Sequence, residues 1–247
     1  MKAMILAAGL GTRLRPLTND RPKALVEVAG RTLLEINIAR LRKFGVTEII
    51  VNVHHFADKV IEYLRSKENF GIRIELSRED ILLDTGGGLK KAAWFFAEDA
   101  SKDEPFIVHN VDVISAIDLE QIAESHRQQR ALATLALQQR ETSRYLLFDE
   151  HMHLGGRFLV KEQKTELVRA KVGLQQLAFT GIHIISPRLL PMIAEEGVFS
   201  IIQTYLRLAG EGQPIVGYRT DGAYWRDLGK PENVTHAEKD FQNGMVS

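Results

Sequence analysis

The 247 residues include no cysteine. That excludes disulfides, a thiolate nucleophile and cysteine-ligated metal centres, and it fits a reducing compartment, so the cytoplasm is the expected location. No apolar run approaches the roughly 20 residues of a membrane-spanning helix, so a membrane is not an expected partner. The chain passes straight from Met1-Lys2 into an apolar stretch, which leaves no secretory signal to be expected. Lys and Arg number 32 and so do Asp and Glu, giving zero formal net charge. Without a basic excess, nucleic acid is not an expected partner either. Internal repeats and low-complexity segments are absent. A Walker A loop is missing, because no Gly-Lys-Ser/Thr occurs after the early glycines, and the third glycine of a dinucleotide-binding fingerprint is missing as well. What remains is a chain that is 45% hydrophobic, enough for a large packed core.

The most informative stretch runs from Lys2 to Leu25, KAMILAAGLGTRLRPLTNDRPKAL. Ala3 to Leu6 is short and apolar, as a buried strand is. Ala7 and Ala8 lead into Gly9-Leu10-Gly11-Thr12-Arg13. A strand ending in small residues leaves the N–H groups of its loop free to approach an anion. Arg13 and Arg15 add guanidinium forks that suit phosphate oxygens, and Pro16 and Pro22 stiffen the path that delivers Lys23. A Gly-x-Gly after a strand is equally compatible with a plain tight turn, and only the whole run raises it to a polyphosphate site.

Further along, helical spacing of Leu33, Leu34, Ile38, Leu41 and Phe44 alternates with apolar strands at Glu48 to Val53, Ile72 to Leu76 and Pro105 to Val108. Helices are expected at Ala57 to Glu68 and Asp118 to Gln129. Such alternation predicts an α/β fold with a mostly parallel sheet, whose ligands bind beyond the carboxyl ends of the strands. The glycine loop, the His54-His55 turn, Asp84-Thr85-Gly86-Gly87-Gly88 and Asp112 each follow a strand and are expected on one edge. The triple glycine reads as a loop opening a helix, with free N–H groups at the positive dipole end, or else as a flexible linker. Two histidines without a third ligand make poor zinc evidence, so His54 and His55 read as cleft lining or plain surface. Asp112 is a possible ligand for a hard cation such as Mg²⁺, or simply a cap. Past residue 130, strands are expected at Ala131 to Leu137, within Tyr145 to Val160, at Phe179 to Ile185, Pro214 to Tyr218 and Tyr224 to Leu228. Helices are expected at Phe199 to Ala209 and from Pro231 onward. Glu162 to Gln176, polar and without a period, reads as a loop.

The opening run, with Pro22-Lys23-x-Leu25, resembles the signature of sugar-1-phosphate nucleotidyltransferases, and the resemblance extends to about Val234. It implies a Rossmann-like, mostly parallel central sheet flanked by helices, the GT-A-like nucleotidyltransferase fold, with a small sugar-binding lobe. It also implies one domain, 1–247, with a nucleotide-binding half (1–130) and a sugar-phosphate-binding half (131–247). By resemblance, Leu6, Ala7, Ala8, Gly9, Gly11, Thr12, Arg13, Lys23, Asp84, Thr85, Gly86 and Gly87 bind the nucleotide. Arg13, Lys23, Asp112 and Asp227 are catalytic, Asp112 and Asp227 hold Mg²⁺, and Asn110, Thr180, Gly181 and Lys161 meet the sugar phosphate. Two motifs depart from the family's pattern: Val111 stands where glycine is usual, and Lys230-Pro231 follow Trp225-Arg226-Asp227-Leu228-Gly229. The family's Glu-Lys-Pro run is absent, leaving Lys161, Lys164 and Lys171 as candidates for the phosphate contact. The short branches with Thr-Gly-Gly-Gly look nearest, namely N-acetylmuramate-1-phosphate uridylyltransferases and heptose- or mannose-1-phosphate guanylyltransferases. The expected partners are an NTP, UTP or GTP favoured, and a sugar 1-phosphate, used by a monomer or small homo-oligomer. A metal-dependent glycosyltransferase and a non-catalytic nucleotide sensor stay open as alternatives.

Overall fold

The structure is a computed structural model that describes residues 1–97, 103–169 and 173–246. The first strand, β1 (Lys2–Leu6), is followed by a separate two-stranded hairpin of β2 (Glu27–Val28) and β3 (Arg31–Thr32). Next come α1 (Leu33–Lys43), β4 (Glu48–Val53), α2 (Ala57–Ser66), β5 (Arg73–Arg78), α3 (Asp84–Lys91), α4 (Ala93–Ala97) and β6 (Phe106–Asn110). The second half holds β7 (Val113–Ser115), α5 (Leu119–Gln128), β8 (Ala133–Gln138), β9 (Arg144–Phe148), β10 (Leu154–Leu159) and β11 (Lys164–Leu167). It closes with β12 (Gln175–Ile185), α6 (Ile201–Gly210), β13 (Ile215–Arg219), β14 (Trp225–Asp227) and α7 (Pro231–Gln242).

Strands β5, β4, β1 and β6 lie side by side and run parallel, with Ala3 opposite Ile49 on one side and Ile107 on the other. Parallel strands covered on both faces read as continuous apolar runs, which is what Ala3 to Leu6 and Ile49 to Val51 are. Alternation sends neighbouring residues of β1 to opposite cores. Ala3 and Ile5 join the layer of α1, α2, α5 and α7, while Met4 joins that of α3, α4 and α6. Local signals fix the helix starts. Thr32 Oγ1 accepts from Glu35 N at 3.1 Å ahead of α1, and Asp118 Oδ1 accepts from Glu120 N and Gln121 N ahead of α5.

The sheet continues across residue 130 into strands that are mainly antiparallel. β12 pairs with β6 through Ile182–Ile185, with β9 through Gln175–Ala178, and with β8 on its other side. The register against β8 shifts between Phe179 and His183, and within that irregularity Gly181 takes a φ of +81°. Glu162 to Gln176, expected to be a loop, instead carries β11 and the start of β12 in its described part. Its Lys-Thr-Glu-Leu strand lies at the sheet edge, where polar residues face water and leave little apolar period. Among the described residues no helix is long and apolar enough to cross a membrane.

Candidate active site

The parallel strands present their carboxyl ends on one edge, and the loop after β1 crosses it. Asn52, buried at the end of β4, accepts from Ala7 N through Oδ1 at 2.7 Å and donates through Nδ2 to the buried Glu79 at 2.7 Å. The loop then turns through Gly11 at φ +64°, where a Cβ would stand 3.0 Å from Thr18 Cγ2. Thr18 Oγ1 and Leu14 N both donate to Gly11 O, closing the turn. Among the described residues, the N–H groups of Gly9 to Arg13 donate to no protein acceptor, so they stay available to an anion.

Lys23 begins a short 3₁₀ turn, and its Nζ is ion-paired with Asp112 Oδ2, both side chains being largely buried. Asp112 stands between β6 and β7, and the pairing of β7 with β14 brings the distant Asp227 beside it. Asp227 lies opposite Val113, and Leu228 N donates to Asp112 O at 2.7 Å. Asp227 is itself held, its Oδ1 accepting from Gly229 N at 2.5 Å and its carbonyl accepting from Asn233 Nδ2 at 2.7 Å. At Gly229 a Cβ would stand 2.7 Å from both Arg13 Nη2 and Asp227 Oδ1. Only glycine lets the guanidinium reach that point. Two aspartates therefore stand on adjacent backbone, one paired with a lysine and the other beside an arginine, and no group of three His, Cys, Asp or Glu that could hold a metal occurs among the described residues. Two oxygen donors suit a hard cation that keeps waters and takes its other ligands from phosphates, and they do not suit zinc.

A cleft of about 960 Å³ opens from this centre. Leu6, Arg13, Asn110 and Asp227 line it, together with Asp84, Thr85, Thr180 and Gly181. A Cβ on Gly181 would meet Asn110 Nδ2 at 2.6 Å, so this glycine permits the close fit of β12 against the end of β6. Ala7 and Ala8 are buried beneath the loop, while Gly9 and Thr12 are exposed on it. A second cavity, of about 520 Å³ against Pro16, Val26 and Pro231, contains none of the expected site residues.

Two expectations are corrected. Gly86 and Gly87 do not form a free loop: they lie buried inside α3, and both N–H groups donate to Phe199 O, at 2.9 and 3.3 Å. Their missing side chains make room for neighbours, since a Cβ on Gly86 would meet Phe199 Cε2 at 2.3 Å and one on Gly87 would meet Gly197 O at 2.5 Å. Neither lines the cleft, although Asp84 and Thr85 do; Thr85 Oγ1 accepts from Ile201 N at 3.0 Å, tying α3 to the start of α6. Lys161 is exposed and outside the cleft, Lys164 is paired with Glu166 at 2.9 Å, and Lys171 lies outside the described residues. Of the two readings open for the histidine pair, the surface one holds: His55 is exposed, neither lines the cleft, and His54 Nδ1 is hydrogen-bonded to Glu79 O at 2.8 Å.

Arg140, which follows β8 and lines the cleft, belongs to no motif in the sequence. Its guanidinium lies 3.7 Å from the centre of the Trp225 ring and donates to Phe179 O at 2.8 Å. Burial pushes its pKa down, opposed by the negative charge of Asp227. The signal was an arginine at a strand end, in Gln138-Gln139-Arg140, which resembles surface charge until the fold places Trp225 beneath it. Two buried histidines adjoin the cleft, and His183 is among its lining residues. His109 is held neutral at a pKa of about 4 and His183 at about 3, mainly by burial, and His183 Nδ1 shares a 2.5 Å hydrogen bond with the Tyr205 hydroxyl.

The family model for nucleotidyl transferases matches residues 2–244. An N-acetylmuramate alpha-1-phosphate uridylyltransferase of Caulobacter vibrioides is 38% identical over 245 residues, covering 96% of this chain and 95% of that protein. A mannose-1-phosphate guanyltransferase of Aspergillus fumigatus is 32% identical over 99% of this chain, which spans only 63% of the guanyltransferase. Among solved structures, HddC of Yersinia pseudotuberculosis complexed with GMP-PN superposes with a TM-score of 0.75 at 24% identity, covering 97% of this chain and 99% of that one.

Proposed function

Because the chain belongs to the nucleotidyl transferase family, we propose that it is an enzyme that moves a nucleotidyl group from an NTP to a sugar 1-phosphate, giving an NDP-sugar and pyrophosphate. The uridylyltransferase that is similar along nearly all of both chains supports UTP as donor and N-acetylmuramate 1-phosphate as acceptor, with GTP the competing donor. The cytosol, where NTPs are supplied, is the proposed compartment.

The observation that carries this reading is the β7–β14 pairing, which sets Asp227 beside Asp112, so that Arg13 and Asp227 on the cleft wall adjoin the largely buried Lys23–Asp112 pair. An oxygen of the acceptor's phosphate attacks the α-phosphorus, the Pα–O bond to the β-phosphate breaks, and its electron pair leaves with pyrophosphate. The attacking oxygen is already anionic, so no general base is needed, and positioning with charge neutralisation supplies the acceleration. The N–H groups of Gly9 to Arg13 and the Arg13 guanidinium take the β- and γ-phosphates. Lys23, at the strand edge with Asp112, faces the α-phosphate. Asp112 and Asp227 would hold Mg²⁺, which supplies charge neutralisation and a template for the phosphate oxygens when bound. The test is pyrophosphate release across four NTPs and a panel of sugar 1-phosphates. Release that requires both substrates supports the reading; release with no sugar phosphate present overturns it.

A further inference from the structure

Apart from Arg13, the cleft is lined by four cations, and three of them are accounted for. Arg157 is paired with Glu166 at 2.6 Å, while Arg144 and Lys230 are exposed at the surface. Arg140 is different. It is half-buried, and among the described residues it has no carboxylate within ion-pair distance. Its protein partners are neutral: Phe179 O at 2.8 Å, Glu141 O at 3.3 Å and the Trp225 ring at 3.7 Å, while its Nε is buried with no partner. A cation withdrawn from water with no counter-ion is costly to keep. An anion that arrives with the substrate removes the cost.

The position of that anion follows from the strand beneath. Trp225 and Asp227 are two residues apart on β14, so their side chains leave the same face. Trp225 Nε1 donates to Thr180 O at 2.8 Å, fixing the ring against the irregularity of β12. The charge of Asp227 is felt at Arg140. The guanidinium is thus held over the Trp225 ring on the β8–β12 side of Asp227. We infer that Arg140 seats the phosphate of the sugar 1-phosphate, the role for which Lys161 stood in the sequence reading. The inference rests on the transferase reading above. A carboxylate on the sugar would also satisfy a guanidinium, but only the acceptor's phosphate has to come to the Asp227 side for its oxygen to reach the α-phosphorus.

The experiment compares Arg140→Gln and Arg140→Lys with the wild-type chain in Mg²⁺, measuring initial rates of pyrophosphate release as each substrate is varied. Acceptors are N-acetylmuramate 1-phosphate, which carries a carboxylate, and N-acetylglucosamine 1-phosphate, which does not. Arg140→Gln should raise the KM for either acceptor by about 30-fold or more, as expected for a lost charge-assisted contact. The KM for the NTP should move less than about 3-fold, and NTP should still raise the melting temperature as it does in wild type. Arg140→Lys should recover part of the loss. If the glutamine variant folds poorly, the lysine variant's split between the two KM values is the measure. An unchanged acceptor KM, equal losses for both substrates, or a loss confined to the carboxylate-bearing acceptor each overturns the inference. Wild-type turnover is the separate control: without it the transferase reading falls, whereas with it only the role of Arg140 is at stake.

Discussion

Substituting Gly86 by Ala tests the packing that shapes the cleft wall. The new Cβ would lie 2.3 and 2.4 Å from two carbons of the Phe199 ring and 2.9 Å from Ile201 N. Phe199 is 5% exposed and belongs to the core under α3, α4 and α6, so the ring has no open side to retreat to. Overpacking of this kind costs about 1–3 kcal/mol. Straining the Gly86 N to Phe199 O hydrogen bond of 2.9 Å adds up to about 1 kcal/mol. Alanine in place of glycine inside a helix returns about 1 kcal/mol. The net loss is then up to about 3 kcal/mol, which in a chain of this size lowers the melting temperature by up to about 12 °C. Gly9→Ala is the control, because nothing lies within 4 Å of its Cβ position, and its melting temperature should match wild type. Thermal melting without ligand decides the matter. A Gly86→Ala protein that melts above wild type would refute the packing account and restore these glycines as a free loop.

Other outcomes follow from the same geometry. Asp112→Asn and Asp227→Asn should each lower kcat by about a hundredfold or more at saturating Mg²⁺, and steady-state rates near wild type would remove that carboxylate from the site. Arg13→Ala should raise the KM for NTP, and Gly229→Ala, whose Cβ would displace Arg13 or Asp227, should do the same; both are read from kinetics with each substrate varied. Lys23→Ala should instead depress kcat, because Lys23 faces the α-phosphate, and single-turnover rates separate this from weaker binding. His109, His126 and His183 have pKa values depressed by burial to about 4, 4 and 3, below the ordinary 6.5. Their stabilisation is complete above pH 6.5 and is lost as the pH falls toward 4 and 3, because the unfolded chain takes up protons that the folded one refuses. Urea unfolding at pH 7 and pH 5 should show a loss of about 1–2 kcal/mol per histidine, and a flat profile would contradict it.

What could be read from the sequence was what local chemistry alone decides. Ala3 to Leu6 and Ile49 to Val51 are strand segments because unbroken apolar runs suit a sheet covered on both faces, and the loop from Gly9 to Arg13 announced itself by its glycines and arginine. Asp112 and Asp227 were named individually, but their adjacency depends on the β7–β14 pairing, and neither three-residue strand carries a pattern that specifies its partner. The triple glycine misled because glycine is a poor helix former. Here the helix forms anyway, since Phe199 O and the tight fit of Phe199 and Gly197 require residues without side chains. Lys161 drew attention as a free cation near the expected motif, whereas Arg140 gains its meaning only when β14 brings Trp225 under it. Local patterns do not encode which distant ring a guanidinium will cover.

The central claim is nucleotidyl transfer, and labelled UTP tests it most directly. The wild-type protein is incubated with Mg²⁺, a sugar 1-phosphate and UTP carrying label on either the α- or the γ-phosphate. The account predicts that α-label passes into a UDP-sugar while γ-label appears in pyrophosphate, in equal amounts and only when the sugar phosphate is present. Label released as orthophosphate, or pyrophosphate formed without the sugar phosphate, would contradict it.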